Sequence, residues 1–166
     1  MVAYFSAVLP LFRRLPRLFC LAFLALPLAG AAAADAPGPA ALDLSAYKGH
    51  VVYLDFWASW CGPCKLSFPY MENLPYAFPQ KGLVVLTVNV DHSKKRADAF
   101  LNEVGSQLPV IYDPKGKLAT RFHVEAMPSA VLIDRDGKVR FVHKGFYEDK
   151  EGDYTADVAS LINEKQ

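Results

Sequence analysis

The sequence predicts an α/β domain in which a mixed central sheet is flanked by helices. Two short apolar runs rich in β-branched residues, at 51–57 and 83–89, are separated by a helical pattern, as in parallel strands joined by a crossover. Two later strand patterns meet at Asp136-Gly137, a typical hairpin turn, which adds antiparallel strands at one side. The composition indicates one globular domain, since 52% of the 166 residues are hydrophobic and 21% are charged.

The elements are expected in the order β-α-β-α-β-α-β-β-α. The buried strand at 51–57 leads into a helix at 61–78, where Leu66 and Tyr70 recur at helical spacing and Pro69 is expected to cause a kink. The other expected elements are a buried strand at 83–89, a charged amphipathic helix at 94–104, an extended piece at 108–112, a turn at 113–116, a short helix at 117–122, strands at 129–134 and 138–143, and a terminal helix at 153–163.

The N-terminal segment, residues 1–34, predicts export. It contains no acidic residue, and three arginines precede a short apolar run that ends in small residues at 30–34. This is the layout of a secretory signal, with cleavage expected near Ala34 and Cys20 discarded with it. The alternative is an uncleaved membrane anchor, although the apolar run is at the short limit for a span. A flexible lead-in at 35–41 and one domain at 42–166 then remain.

Removal of the signal changes the charge and the thiol count. Three of the 18 basic residues are lost and all 17 acidic residues remain, so the net charge becomes −2. A chain with this balance has no basic field for nucleic acid, and we expect a monomer without a nucleic-acid partner. The remaining thiols are Cys61 and Cys64, separated by Gly62 and Pro63. An exported chain with one such pair is a candidate redox protein.

The dithiol is expected where the first strand ends and the first helix begins. Unpaired amides and the helix dipole there favour a negative sulfur, which would lower the pKa of the Cys61 thiol and make it the nucleophile. Cys64, expected to be the less exposed thiol, is within reach to resolve a mixed disulfide between Cys61 and a substrate. Pro63 suits the first helical turn, where its missing N–H would be unpaired.

A structural disulfide and a zinc site are the two simpler interpretations of this pair. A bridge that closes so short a loop constrains the unfolded chain little. No second cysteine pair is present, and the histidines lack zinc-finger spacing, so we expect no metal and assign them no role. They are His50, His92, His123 and His143. Residues 134–137 are expected to form a turn, because a calcium loop would need further ligands.

The dithiol segment resembles a known family. Residues 54–65, Leu-Asp-Phe-Trp-Ala-Ser-Trp-Cys-Gly-Pro-Cys-Lys, are similar almost throughout to the thioredoxin active-site segment, and Pro69 matches that family's helix proline. Residues 125–129, Glu-Ala-Met-Pro-Ser, resemble its cis-proline loop. The signal, the lead-in at 44–49 and the stretch 109–122 are more similar to the TlpA/ResA/DsbE branch of periplasmic thiol–disulfide reductases. The resemblance covers about residues 42–165.

The resemblance implies a thioredoxin fold with a TlpA-type insertion before the cis-proline strand. It implies that Cys61 and Cys64 are catalytic and that Asp55 takes the proton from Cys64 during resolution. It also implies a cis bond between Met127 and Pro128 beside Cys61, which keeps metal from the thiols and presents the Met127 backbone to substrate. No small-molecule cofactor is implied, because the redox group is the Cys61–Cys64 disulfide itself.

Other residues near the dithiol have alternative interpretations. Asp55 lies in an apolar strand, so it is either a functional acid with a pKa raised by burial or a hydrogen-bonded core residue. Pro128 has no N–H to donate to the sheet just before a strand, which indicates a special backbone role. The alternative to the cis bond is a trans proline in an ordinary turn. Trp60 is expected in an apolar rim that faces the substrate, together with Gly62 and Pro63 between the cysteines. Trp57 is expected to pack beneath the site, although both tryptophans also fit as core aromatics.

Three residue choices depart from the wider family. Ser67 stands where many cytochrome-maturation members have a glutamate, and Thr87 stands where thioredoxins have a well-known lysine. Because of these two departures, the family's proton-transfer steps cannot be carried over to this chain in detail. The spacer between the cysteines is Gly-Pro, as in thioredoxins, and not the Pro-His of strong oxidants, which favours a reducing role.

The sequence therefore predicts a periplasmic thiol–disulfide oxidoreductase that mainly reduces protein disulfides. Its expected partners are disulfide-bearing periplasmic proteins and a membrane electron donor of the DsbD/CcdA type, which the resemblance implies. Two alternatives remain. One is a thioredoxin dedicated to cytochrome c maturation, and the other is a redox-inert binding module in which Cys61–Cys64 is only a structural bridge.

Overall fold

A computed structural model describes residues 42–79 and 81–165. The predicted signal and the lead-in lie outside the described residues. The elements are β1 Val51–Trp57, α1 Cys64–Ala77, β2 Leu83–Asn89, α2 Lys94–Val104, β3 Val110–Tyr112, α3 Lys117–Arg121, β4 Ser129–Ile133, β5 Val139–Lys144 and α4 Glu151–Asn163, with 3₁₀ helices at Leu44–Tyr47 and Glu148–Lys150. The predicted element order is confirmed, and the stretch 109–122 forms β3, a turn and α3.

The sheet is mixed, as predicted, with strand order β3-β2-β1-β4-β5. The strands β1, β2 and β3 run parallel, whereas β4 lies antiparallel to both β1 and β5. The hairpin between β4 and β5 turns at Gly137, whose φ of 84° is a conformation that glycine adopts without strain. The order places β1 at the centre, so the chain that follows β1 emerges between β2 and β4.

Strand β1 is buried over all seven residues because both faces of the sheet are covered. Side chains alternate along a strand, so Tyr53 and Trp57 face the cluster that contains α1, α2 and α4. Leu54 and Phe56 face the second cluster, which contains α3 and the segment before β1. Asp55 falls on the face of Tyr53 and Trp57, where it lies beneath the helix that carries the dithiol.

The first helix begins later than the sequence predicts. It starts at Cys64 and not at Cys61, because the chain before it forms a turn. In that turn the Cys61 N–H donates to Ala58 O at 3.0 Å, and the Cys64 N–H donates to Cys61 O at 3.2 Å. Pro63 stands at the N-cap, one position before the first helical turn, and the helix continues through Pro69. The sequence also places the start of β3 two residues too early, at 108.

The last helix is anchored to the far end of the sheet by Arg135, which follows β4. Its Nη1 donates to Leu161 O at 2.8 Å and its Nη2 donates to Ile162 O at 2.9 Å. These carbonyls belong to the last turn of α4, which has no basic residue of its own. A guanidinium there supplies donors for carbonyls that a helix end leaves unpaired and also complements the helix dipole.

Replacing Arg135 with alanine is therefore expected to destabilise the fold by about 1.5–3 kcal/mol, the range for hydrogen bonds to a charged group. The measurement is urea unfolding of the oxidised protein followed by far-UV circular dichroism. Arg121→Ala is the matched control, since Arg121 donates to a single carbonyl, Leu42 O, at 3.2 Å. A loss for Arg135→Ala no larger than that for Arg121→Ala would contradict the assigned role.

Candidate active site

The two cysteines form a disulfide in the turn between β1 and α1. Their Cα atoms are 5.4 Å apart, and the bond closes across Gly62 and Pro63. Cys64 is fully buried, whereas Cys61 retains 4% exposure, which is the predicted order. An incoming nucleophile or disulfide can therefore reach the Cys61 sulfur more readily than the Cys64 sulfur.

The N-terminus of α1 supplies a favourable field for a negative charge on Cys61. The helix begins three residues after Cys61, and its first turn carries no acidic residue. Amides at the start of a helix carry partial positive charge, which stabilises an anion near that end. The turn therefore has the electrostatic arrangement that the sequence predicts for a thiolate at Cys61.

Asp55 is the buried acid on this side of the sheet. It is 2% exposed, and its Oδ2 atom has no hydrogen-bond partner among the described residues. Burial raises the pKa of Asp55 well above its usual range, because a charged carboxylate loses its hydration there. The predicted rise in pKa is confirmed. The interpretation of Asp55 as a hydrogen-bonded core residue requires partners for its carboxyl oxygens, and Oδ2 has none among the described residues.

Thr87 is the register partner of Asp55 on the neighbouring strand β2. Its hydroxyl donates to Pro109 O at 3.1 Å, and Pro109 is the residue before β3. The Thr87 hydroxyl therefore holds β3 against β2 and does not donate a hydrogen bond to the Asp55 carboxyl. The position therefore brings no positive charge to the buried acid. Tyr53 also has a raised pKa, first because it is buried and second because of the charge on Asp55.

The cis-proline loop lies at the same end of the sheet as the dithiol. The Met127–Pro128 peptide bond is cis, as predicted. In the antiparallel register Ser129 pairs with Phe56, so Pro128 lies beside the residues that lead from β1 to the dithiol. The loop is held by two hydrogen bonds, one from the Gly145 N–H to Pro128 O at 2.8 Å and one from the Ser129 hydroxyl to Ala126 O at 2.7 Å.

The two tryptophans occupy the places that the sequence predicts. Trp57 is fully buried, and its ring lies 4.9 Å from that of Phe100 and 5.3 Å from that of Phe68. Trp60 is 67% exposed next to Cys61. The exposed Gly62 and Pro63 extend this surface, so the rim around the disulfide is partly apolar.

Two polar groupings near the sheet ends were not predicted. Asn89 and Asp91 lie close together at the carboxyl end of β2, and both are buried. Their position at the end of a parallel strand was the available signal, since sites form at such ends. His143, which was assigned no role from the sequence, lies with its Nε2 2.9 Å from Asp157 Oδ2.

Among the described residues, no group of three or more His, Cys, Asp or Glu side chains is arranged to hold a metal ion. None of the helices in residues 42–79 and 81–165 is both long enough and apolar enough to span a membrane.

Comparisons with known proteins agree with the fold and the motif. The Redoxin family model matches residues 26–158. The thiol-disulfide oxidoreductase ResA of Bacillus subtilis is 38% identical over 98 residues, which cover 59% of this chain and 55% of ResA. ResA of Oceanobacillus iheyensis is 31% identical over 123 residues, or 74% of this chain and 64% of that protein. The match thus spans less than two thirds of the length of these relatives.

Solved structures agree with this assignment. A Chlorobium tepidum protein described as a thiol:disulfide interchange protein DsbE is 41% identical, with a TM-score of 0.69 over 72% of this chain and 85% of that one. An exposed lipoprotein thioredoxin of Streptococcus pneumoniae is 37% identical, with a TM-score of 0.56 over 69% of this chain and 89% of that one. The chain has a thioredoxin fold, and it belongs to the Redoxin family as a TlpA/ResA/DsbE-like protein of the thioredoxin superfamily.

Proposed function

We propose that this chain is a thiol–disulfide oxidoreductase that mainly reduces disulfide bonds in exported proteins. The observation that carries the proposal is the arrangement at one end of the sheet. Three features lie there: the Cys61–Cys64 disulfide, the cis-proline loop at Pro128, and the buried Asp55, whose Oδ2 has no hydrogen-bond partner among the described residues. The relatives named thiol-disulfide oxidoreductase ResA support the same chemistry.

In the proposed reaction, the reduced protein begins with two thiols. The Cys61 thiolate attacks one sulfur of a substrate disulfide, forms a mixed disulfide and releases the other substrate sulfur as a thiolate, which takes up a proton. Cys64 then loses its proton to the ionised Asp55 carboxylate and attacks the Cys61 sulfur. The Cys61–Cys64 disulfide forms, and the second substrate sulfur leaves as a thiolate, which also takes up a proton. Two electrons pass from the protein to the substrate, and the proton later leaves Asp55.

Asp55 suits this step because of its burial. Burial raises the pKa of Asp55 well above its usual range, and a carboxylate with a raised pKa is a stronger base than an ordinary one. It can therefore accept the proton of a neighbouring buried thiol at a modest energetic cost. A fully hydrated carboxylate would be a much weaker base.

The surface around Cys61 is proposed to hold the substrate. Trp60, Gly62 and Pro63 form the exposed rim on one side. Met127 and Pro128 are proposed to form the other side, where the Met127 backbone would pair with an extended substrate chain and the proline would keep metal away from the thiols. These roles would fix the substrate disulfide close to the Cys61 sulfur, which is the geometry that exchange requires.

The chain is proposed to act after export, in the periplasm, with residues 1–34 as a cleaved signal or, less simply, as an anchor. Its proposed substrates are disulfide-bearing periplasmic proteins. Because each cycle leaves the dithiol oxidised, a membrane electron donor of the DsbD/CcdA type is proposed to reduce it again.

The reducing direction is tested by titrating the Cys61–Cys64 pair against glutathione. The Gly-Pro spacer, shared with thioredoxins, leads us to expect a potential near about −270 mV. The fraction of reduced protein at each glutathione ratio is measured by alkylation and mass spectrometry. A potential near about −120 mV, which is typical of a strong oxidant, would contradict the reductase proposal.

A further inference from the structure

The turn at 58–61 connects β1 to the dithiol and carries the exposed Trp60. Cys61 is held on both sides, since its N–H donates to Ala58 O at 3.0 Å and its carbonyl accepts the Cys64 N–H at 3.2 Å. Trp60 forms no hydrogen bond with any of the described residues, and its side chain is 67% exposed. The position of Trp60 therefore depends on the backbone on either side of it, at Ser59 and at Cys61.

Ser59 is held by a carboxylate from a distant part of the chain. The Ser59 N–H donates to Asp91 Oδ2 at 2.8 Å, and the Ser59 hydroxyl donates to Asp91 Oδ1 at 2.8 Å. Both oxygens of Asp91 thus bind one residue of the turn. Such hydrogen bonds to a charged acceptor are among the stronger ones in proteins.

Asp91 is itself held in place by the end of the neighbouring strand. It is 5% exposed and follows β2, whose last residue is Asn89. The Asn89 side chain donates from Nδ2 to Asp91 Oδ2 at 2.8 Å and accepts the Asp91 N–H at Oδ1 at 3.0 Å. A buried carboxylate with this many donors has one favoured orientation. The network therefore transmits the rigidity of the sheet to the turn.

We propose that Asp91 is a positioning residue of the dithiol site, which fixes Ser59 so that Trp60 is presented beside Cys61 to a protein substrate. This inference rests on the proposed disulfide-reducing function. Because Cys61 keeps its bonds to Ala58 and Cys64 without Asp91, loss of the carboxylate affects the recognition of a protein more than the reactivity of the thiol.

The test compares two substrates of Asp91→Ala. With insulin as the disulfide-bonded protein and dithiothreitol as the reductant, kcat/KM is expected to fall about tenfold, mainly through a higher KM, since misplacing a substrate contact weakens productive binding. The reaction of Cys61 with the small disulfide 5,5′-dithiobis(2-nitrobenzoate) is expected to change less than about twofold.

Asp91→Asn separates geometry from charge. Its Oδ1 can accept the Ser59 N–H and its Nδ2 can donate to the Ser59 hydroxyl, so kcat/KM for insulin is expected to recover to within about twofold of the wild type. Ser59→Ala removes only the hydroxyl bond and is expected to give an intermediate loss. It also provides a milder variant if Asp91→Ala folds poorly.

Asp134→Ala is the control for loss of a buried aspartate at the opposite end of the sheet. Asp134 Oδ1 accepts the backbone N–H groups of Asp136 at 3.0 Å and Lys138 at 2.9 Å. This variant is expected to lose stability without a change in KM for insulin. Tryptophan anisotropy in a Trp57→Phe background, where only Trp60 emits, is expected to fall with Asp91→Ala and to stay unchanged with Asp134→Ala.

The outcomes separate the proposed function from the role of Asp91. A wild type that reacts with the small disulfide but never reduces insulin overturns the proposed function and this inference together. A wild type that reduces insulin overturns the inference alone if Asp91→Ala has the same KM, if Asp91→Asn is as impaired as Asp91→Ala, or if Asp134→Ala raises KM equally.

Discussion

Cys64→Ser is expected to accumulate covalent adducts with substrate proteins and to lose steady-state reductase activity altogether. In this variant Cys61 remains near the N-terminus of α1, so its thiolate still attacks disulfides. No second thiol is available to attack the mixed disulfide, which therefore persists. The reduced variant is incubated with periplasmic extract, quenched by alkylation and run on a non-reducing gel, where the adducts also identify the substrates.

Cys61→Ser is the matched control for this trapping experiment. Cys64 is fully buried, so it is badly placed to attack a protein disulfide, and adducts are expected to be absent. Alkylation kinetics add a second measurement, since Cys61 in Cys64→Ser is expected to react with iodoacetamide well below pH 8.5, the ordinary thiol pKa being about 8.5. Equal trapping by both variants, or none by either, would contradict the roles assigned to the two cysteines.

Asp55→Asn is expected to slow resolution of the mixed disulfide while it stabilises the oxidised fold. Loss of a general base lowers the rate by on the order of 10²-fold or more, so adducts with substrate last longer. The variant loses rate but gains stability. In the wild type, Asp55 is an ionisable group in a buried position where its Oδ2 has no hydrogen-bond partner among the described residues, and the asparagine side chain cannot ionise there. Single-turnover reduction of insulin and urea unfolding measure the two effects.

The pH dependence gives the sign of the stability effect. Burial raises the pKa of Asp55 in the folded protein, whereas the unfolded chain has the ordinary value of about 3.9. Between these two values the folded state binds more protons, so wild-type stability falls as pH rises, by up to about 1.4 kcal/mol per pH unit. The advantage of Asp55→Asn over the wild type is therefore expected to be absent at acidic pH and to grow toward neutral pH.

Asp134→Asn provides a control with the reverse dependence. Burial opposes ionisation of Asp134, but the Lys138 N–H, Arg140 and the Asp136 N–H outweigh it and lower its pKa. The contribution of Asp134 to the free energy of unfolding is then present at pH values above the pKa of this residue in the unfolded chain. It is lost as the pH falls through the pKa in the folded protein. Asp134→Asn is expected to be less stable than the wild type at neutral pH, with the difference vanishing in acid. A difference for Asp55→Asn that did not grow with pH would contradict the assignment of Asp55 as a buried acid with a raised pKa.

The sheet was readable from the sequence because its signals are local. The strands β1 and β2 begin and end where the apolar runs do, since a strand covered on both faces needs apolar side chains along most of its length. The charged helix α2 also has its predicted bounds, ending at Val104, where Gly105 with a φ of 69° forms the C-cap. The start of α1 was misplaced because hydrogen bonds in the turn before it, and not periodicity, decide where the helix begins.

The arrangement of the disulfide and the buried acid could be predicted for the same reason, since Cys61, Cys64 and Asp55 lie within one continuous segment. The hydrogen bonds that hold this segment in place could not be predicted from the sequence. Ser59 and Asp91 are 32 residues apart, and their contact exists only because β1 and β2 pair in register. Neither hydrophobic periodicity nor residue spacing contains this information, because it arises from the pairing of two strands.

The two outermost strands limit what can join the sheet. β3 has only three residues, and β5 bears Arg140, which pairs with Asp134 and Glu164, and Lys144, which pairs with Glu125. Edges that are short or lined with charged side chains offer a poor template for another extended chain. Under the proposed function, the protein could hold a disulfide-bearing polypeptide at its disulfide without incorporating it as an additional strand, and this would protect it from aggregating with its substrates.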